Sequence, residues 1–345
     1  MTHPDANAAP TTNETLGEVD MELLTPLERA AGTGAAESTA ALLAGSETVL
    51  FDVTGADERP LCRTVLHWAA FGGNPEVISA VLQGVIDRAT AAFHSQQTDA
   101  SSHENVPPAG NTAGVSAAVA LSLAKALRAR CMISPGGPGG MTPLHLAAEH
   151  GHAAAVVALL DAGAVDTYPN HNGEAPLALA VEAGHEQTTL ELLRRGALHI
   201  DGRIDPVGST ALHIAALEGH LPILELLLQE GAAVDTRDLF PRQTALHRAV
   251  GCTRLTAGSV ITALLSAGAD VHAQDLGGDT ALLKAVNCSF NDHPGPAIRA
   301  LMAGGADPHD AGNPCKLSPV QVAVMRDGVE ALSEMFALGV DPNTR

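Results

Sequence analysis

Aromatic side chains are almost missing: the 345 residues hold one Trp, one Tyr and six Phe. A core for a chain of this length must therefore come from Ala, Leu and Val, which suit closely packed helices better than broad sheets. Positive charge is also scarce, with 19 Lys and Arg against 39 Asp and Glu and a net charge of −20. That balance argues against a nucleic-acid backbone as a ligand and favours basic proteins as partners. Residues 1–63 hold 11 acids and 3 bases, the most acidic stretch for its length, and residues 1–22 are expected to be a disordered acidic tail. Cysteines are few, at Cys62, Cys131, Cys252, Cys288 and Cys315. Odd in number and without a CxxC pair, they give neither a zinc ribbon nor a complete disulfide framework, so a reducing, cytoplasmic setting is expected. No apolar run approaches about 18 residues and no basic leader precedes one, so membrane insertion and secretion are not expected.

What the chain has instead is a phrase that returns. It reads TPLERAAGTG from Thr25, TVLHWAAFGG from Thr64, TPLHLAAEHG from Thr142 and APLALAVEAG from Ala175. It continues as TALHIAALEG from Thr210, TALHRAVGCT from Thr244, TALLKAVNCS from Thr280 and SPVQVAVMRD from Ser318. The eight starts are 39, 78, 33, 35, 34, 36 and 38 residues apart, one period with a single exception. After each phrase comes a second apolar run, such as AAAVVALLDAGA or LPILELLLQEGA, and then a polar loop. Two short helices and a projecting turn fit each unit.

The parts have physical reasons. Thr142 can cap a helix with its hydroxyl, and Pro143 sits at the first helical position, where a missing N–H costs nothing. Ala147 and Ala148 allow close helix approach, while Gly151 and Gly163 end the two helices in a conformation that side chains resist. One unit cannot hide its own apolar faces, so neighbours must stack into a solenoid.

These motifs resemble the ankyrin repeat family, over roughly residues 23–345 with one interruption. The resemblance implies an all-α ankyrin-repeat solenoid of about eight helix-turn-helix units, whose first helices and hairpin tips line a concave, protein-binding surface. It further implies a non-catalytic interaction module without cofactor or metal, acting as an adaptor or structural scaffold. Two alternatives stand beside it: an acidic escort for a basic client, and the regulatory subunit of an enzyme. Carried over place by place, the binding positions are Phe71, Glu149, Leu217 and Glu218 on the first helices. Near the tips they are Tyr168, His171, Arg237, Leu239, Phe240, Gln274 and Leu276. Tyr168 and Phe240 stand out because aromatic anchors are enriched in binding hot spots; packing on the neighbouring hairpin is the competing explanation. Trp68 is expected in the core.

The unit at Thr64 is about 45 residues longer than its successor. Residues 94–113 read as a flexible insertion, either tolerated or in contact with a partner. Residues 114–132 look helical and are taken as that unit's second helix displaced by the insertion, a degenerate extra repeat being the alternative. The unit at Ser318 is expected to close the array as a C-terminal cap.

Histidines are abundant, 16 in all. His67, His145, His213 and His247 hold the fourth place of the phrase, and His152, His185 and His220 follow the turn glycine, so the motif accounts for seven as braces between turns. Their spacing matches no metal-ligand set. Six others, His150, His171, His199, His272, His293 and His309, lie near predicted tips or turns. GTGAAE from Gly32 and GGPGG from Gly136 suggest phosphate cradles only superficially: the first falls in a turn between helices, and the second reads as a hairpin leading into the Thr142 helix. Cys252 and Cys288 occupy equivalent places in adjacent units, too far apart to bridge. No nucleophile elbow or Walker sequence occurs.

Overall fold

The computed structural model describes residues 26–45, 65–84, 138–196, 198–252, 256–287, 294–311, 313 and 315–341. The calls for helix at 114–132, insertion at 94–113 and tail at 1–22 lie outside them. Among the described residues eight helix pairs follow one another. They are α1 (Pro26–Gly32) with α2 (Ala36–Gly45), α3 (Val65–Gly72) with α4 (75–84), and α5 (Pro143–Glu149) with α6 (Ala153–Asp161). Next come α7 (Pro176–Glu182) with α8 (Glu186–Arg195), α9 (Ala211–Glu218) with α10 (Leu221–Gln229), and α11 (Ala245–Val250) with α12 (Ala257–Ser266). The series continues with α13 (Ala281–Asn287) and α14 (Gly295–Ala303), then α15 (Pro319–Met325) and α16 (Val329–Ala337). The described residues contain no named strand, only an isolated antiparallel bridge between Gln274 and Thr280. The expected all-α solenoid is what the chain forms.

Each first helix packs on the first helices of its neighbours, and from α6 onward each second helix packs on the second. Small residues make this possible: Ala69, Ala70, Ala147, Ala148, Ala180, Ala215, Ala216 and Ala249 are wholly buried. Leucines such as Leu159, Leu224 and Leu227 fill the space between the two layers. Trp68 lies in this core as expected.

One expectation is corrected. The second helix of the unit at Thr64 is α4, directly after α3, with Val77, Ile78, Val81 and Leu82 buried. Residues 114–132 are therefore not needed for that role. The units at Thr64 and Thr142 are also immediate neighbours, because His67 Nε2 reaches Met141 O at 3.0 Å and His152 Nε2 reaches Phe71 O at 2.9 Å. An extra repeat between them has no place in the stack.

The histidines hold the units in two directions. In the fourth place, the backbone N–H groups of Thr142, Thr210 and Thr244 donate to Nδ1 of His145, His213 and His247 at 3.1, 3.2 and 3.3 Å. With Nδ1 accepting, the proton resides on Nε2, which donates forward to the carbonyls of Glu174, Gln243 and Asp279 at 3.0, 2.9 and 3.0 Å. After the turn glycine, Nε2 of His152, His185 and His220 reaches back to the carbonyls of Phe71, Glu149 and Glu182. In the unit at Ala175, where Ala178 replaces the fourth-place histidine, the Ala175 N–H itself donates to Ile204 O at 2.9 Å.

The backward brace explains the glycine before it. Gly151 has φ +73°, and a Cβ there would lie 2.5 Å from the ring of His185. Gly151→Ala is expected to cost about 2 kcal/mol, from a strained left-handed backbone and a displaced imidazole. Chemical denaturation measures this; a loss below about 0.5 kcal/mol, the range of neutral surface changes, would refute it.

Candidate functional site: the concave trough and the hairpin tips

The hairpins are built on one device. A side-chain oxygen of Asn170, Asp205, Asp238, Asp275 or Asn313 accepts from a backbone N–H further round the turn, at Glu174, Ser209, Gln243, Asp279 and Leu317. This closes a turn without a strand ladder. Adjacent tips are then joined by backbone bonds from His171 to Gly139, Leu239 to Val207 and Leu276 to Pro241, at 2.7, 3.0 and 2.8 Å. The Phe240–Pro241 peptide bond is cis.

This geometry divides the positions read from the sequence. His171, Arg237 and Gln274 are committed to the hairpins themselves. The His171 ring lies over Gly140, Arg237 donates to Gln274 O, and Gln274 is bridged to Thr280. Leu239, Phe240 and Leu276 instead project, 58%, 67% and 58% exposed, with Tyr168 less so. On the first helices, Phe71 is half-buried and meets Trp68 and His150 edge-on, at centroid distances of 6.0 and 4.8 Å. Leu217 reaches across to Gly251 of the next helix. Glu149 and Glu218 stand half-buried on α5 and α9.

Between those two lies Glu182, which the sequence reading passed over. It occupies in APLALAVEAG the place that Glu149 holds in TPLHLAAEHG, so the signal was there. Burial against the trough, and then the negative charges of Glu174, Glu218, Asp205 and Glu149, push its carboxyl up to about 7. The residue as a whole is exposed, so the crowd of like charges is the better physical account of the shift than loss of water. Five carboxylates from three successive units thus converge.

The electrostatics change further along. Arg248 and Lys284 replace aliphatic residues in the fifth place of the phrase, and each faces its own hairpin aspartate, Asp238 at 2.7 Å and Asp275 at 3.5 Å. At Asp205 the corresponding place is Ile214, which supplies no counter-charge. The trough over α5, α7 and α9 is therefore left negative. Among the described residues no group of three or more His, Cys, Asp or Glu could hold a metal ion, and no helix is long and apolar enough to cross a membrane. Among the described residues, neither Cys252, which is buried, nor Cys315, which is exposed, forms a disulfide.

Stacked helix pairs with braced hairpins and a lined trough define a helical-repeat interaction module. A family model described as ankyrin repeats, in three copies, matches residues 115–203 and 197–275. Human ankyrin repeat and SOCS box protein 6 is 42% identical over 107 residues, covering 30% of this chain and 25% of that protein. Human B-cell lymphoma 3 protein is 35% identical over 147 residues, 40% of this chain and 30% of that protein. The chain thus spans less than a third of the length of these curated relatives. Among solved structures, the human ASB11 ankyrin repeat domain superposes with a TM-score of 0.56 at 22% identity, covering 83% of this chain and 100% of that one. The ankyrin repeat domain of Bcl-3 gives 0.54 at 24%, covering 79% and 98%. Together with the eight phased units, these similarities make the chain an ankyrin repeat protein, built from repeats that bind other proteins.

Proposed function

We propose that this chain is a non-catalytic adaptor or scaffold that holds a basic segment of a partner protein along its concave trough. The observation that supports this most directly is the convergence of Glu149, Glu174, Glu182, Asp205 and Glu218, strong enough to bring Glu182 to about 7. A lysine or arginine placed there relieves repulsion already present in the free protein, so association is driven by charge and weakened by salt. Phe71 and Leu217 add apolar contact in the trough, and Tyr168, Leu239, Phe240 and Leu276 offer anchors at the tips. His171, Arg237 and Gln274 support the tips more than they touch the partner. The acidic-escort reading uses the same surface, differing only in that the client is later released. We place the protein in the cytoplasm, a setting supported by an odd number of cysteines without a CxxC pair; immunolabelling of cells is the check.

The test is charge reversal. The triple variant Glu149→Lys/Glu182→Lys/Glu218→Lys is expected to lose at least about ten-fold in affinity for a lysine- and arginine-rich peptide, read by fluorescence anisotropy. Wild-type binding is expected to weaken as salt rises. Affinity indifferent to both salt and charge reversal would sink the proposal. A Leu239→Ala/Phe240→Ala variant is expected to lose affinity for a folded partner while keeping its salt dependence, because it removes anchors and leaves the field in place.

A further inference from the structure

In a chain of net charge −20, three successive hairpin tips carry exposed arginines among exposed apolar side chains. Val207, Leu239, Phe240 and Leu276 face solvent. The backbone bonds from Leu239 to Val207 and from Leu276 to Pro241 hold these tips together as one ridge. Contiguous exposed apolar surface of this kind marks an interaction site. The cations lie among the same side chains. A Cβ on Gly208, whose φ is +78°, would fall 2.5 Å from Leu239 Cγ and 2.7 Å from Arg203 Nη1, so leucine and guanidinium lie side by side over that glycine. Arg242 follows Pro241, whose carbonyl takes the Leu276 N–H. Arg237 sits between these tips and donates to the carbonyls of Gln274 and Arg242. Arg203 and Arg242 are exposed, and neither is paired with a carboxylate. The hairpin aspartates are turned inward instead. Asp205 accepts from the Ser209 N–H, Asp238 from the Gln243 N–H and Arg248, and Asp275 from the Gly277 and Asp279 N–H groups and Lys284. Asp279, half-buried near Gly277, completes the carboxylates of these tips. Asp201, Asp235 and Asp270 come shortly after the second helices and accept from the N–H groups of Ala233, Asp270 and His272.

Spacing selects the shape of the occupant. Successive units stand roughly 8–10 Å apart. On an α-helix, residues i and i+7 share a face about 10.5 Å apart, which gives one contact per hairpin. A strand returns to the same face at about 6.7 Å and about 13 Å, and neither interval matches. We infer that the tips at 205–208, 238–242 and 275–278 dock an amphipathic helix of a partner protein, apolar on one side and acidic along its flanks. The apolar side lies on Val207, Leu239, Phe240 and Leu276, and the flanking carboxylates meet Arg203 and Arg242. Apolar burial supplies the affinity, and the two guanidinium groups set the preference. The inference rests on the tips being contact positions, as proposed above, but not on the charge of the trough. A partner that meets both surfaces therefore carries a basic segment for one and an acidic helix for the other.

The experiment uses the full chain and two labelled helical peptides of about 20 residues, each with leucine at heptad spacing on one face. The flanks are glutamate in one peptide and glutamine in the other. Salt is held at about 0.15 M, where a Debye length of about 8 Å screens the rest of the chain. Anisotropy is expected to show the glutamate peptide binding at least about ten-fold tighter. Arg203→Glu/Arg242→Glu is expected to remove that preference, and its melting curve should overlie that of the wild type because both side chains are exposed. Leu239→Ser/Phe240→Ser is expected to weaken both peptides by at least about ten-fold, which separates a seated helix from charge attraction alone. Glu149→Gln/Glu182→Gln/Glu218→Gln should leave the glutamate peptide unaffected while weakening the lysine- and arginine-rich peptide of the trough, so this inference and the trough reading can fail separately. Equal binding of the two peptides by the wild type, or none at about 100 µM, would overturn it. So would undiminished binding by Leu239→Ser/Phe240→Ser, or light scattering that shows a wild-type dimer which Arg203→Glu/Arg242→Glu dissolves, since a second copy would then be the occupant.

Discussion

Replacing His213 by alanine is expected to lower stability by about 3 kcal/mol, the sum of two orphaned buried groups and a void. The imidazole joins the Thr210 N–H, 3.2 Å from Nδ1, to the Gln243 carbonyl, 2.9 Å from Nε2. Thr210, His213 and Gln243 are all buried, so water cannot readily replace either bond. Glutamine at this position provides an internal control. In the unit at Ser318 the same place is Gln321, whose Oε1 accepts from the Ser318 N–H at 2.9 Å. His213→Gln is expected to restore that local bond without the reach to Gln243, recovering about half the loss. Urea denaturation followed by circular dichroism measures both variants. Equal stability of His213→Ala and wild type would mean that the brace is ornamental.

Acidification from pH 7 to pH 4 is expected to destabilise the array strongly. Burial lowers His145 from 6.5 to about 4, opposed only in part by its bond to the Glu174 carbonyl. Burial likewise lowers His213 and His247, and His152 among the backward braces. As the pH falls through 6.5 the unfolded chain takes up these protons first, so the stability is fully present above 6.5 and drains away toward the folded value near 4. The gap at His145 alone corresponds to roughly 3 kcal/mol. Glu182 runs the other way, because its folded value near 7 lies above its unfolded value of 4.5 and protonation quiets the trough. One solvent-facing carboxylate does not offset several buried imidazoles. Melting temperature measured at half-unit pH steps should fall steadily below pH 6.5. A flat profile down to pH 5 would show that the histidines are protonated in place without penalty.

The period, the glycines and the alanine pairs made the architecture legible, since a local sequence rule repeats in phase in every unit. The second helix of the unit at Thr64 was equally legible in NPEVISAVLQ, where Val77, Ile78, Val81 and Leu82 recur at helical spacing. Residues 114–132 also read as helical and directly precede the next unit, so the sequence offers two candidates for one place. The trough was harder to read. Its field arises from Glu149, Glu182 and Glu218, 33 and 36 residues apart along the chain, and from Asp205, whose charge matters because Ile214 stands where Arg248 and Lys284 stand in later units. Only the stack shows that these side chains share one surface. At the tips, Arg237 and Tyr168 are equally polar-looking loop residues, and which one is spent on bracing depends on the neighbouring hairpin.

The two-way histidine bonds also set an order of events. They run from His67 to His247, while the units at Thr280 and Ser318 have Leu283 and Gln321 in the fourth place, with Pro294 and Gly328 directly before their second helices. His247 still reaches the Asp279 carbonyl at the head of the Thr280 unit, whereas the Ser318 unit is held to its neighbour by packing together with Arg299 on Glu334 and Arg326 on the Asn287 carbonyl. A linear array opens where its nearest-neighbour coupling is weakest. The array is thus expected to open first at this end, with amide protons in α15 and α16 exchanging well before those in α9. Anything that grips that end slows the exchange of the whole array.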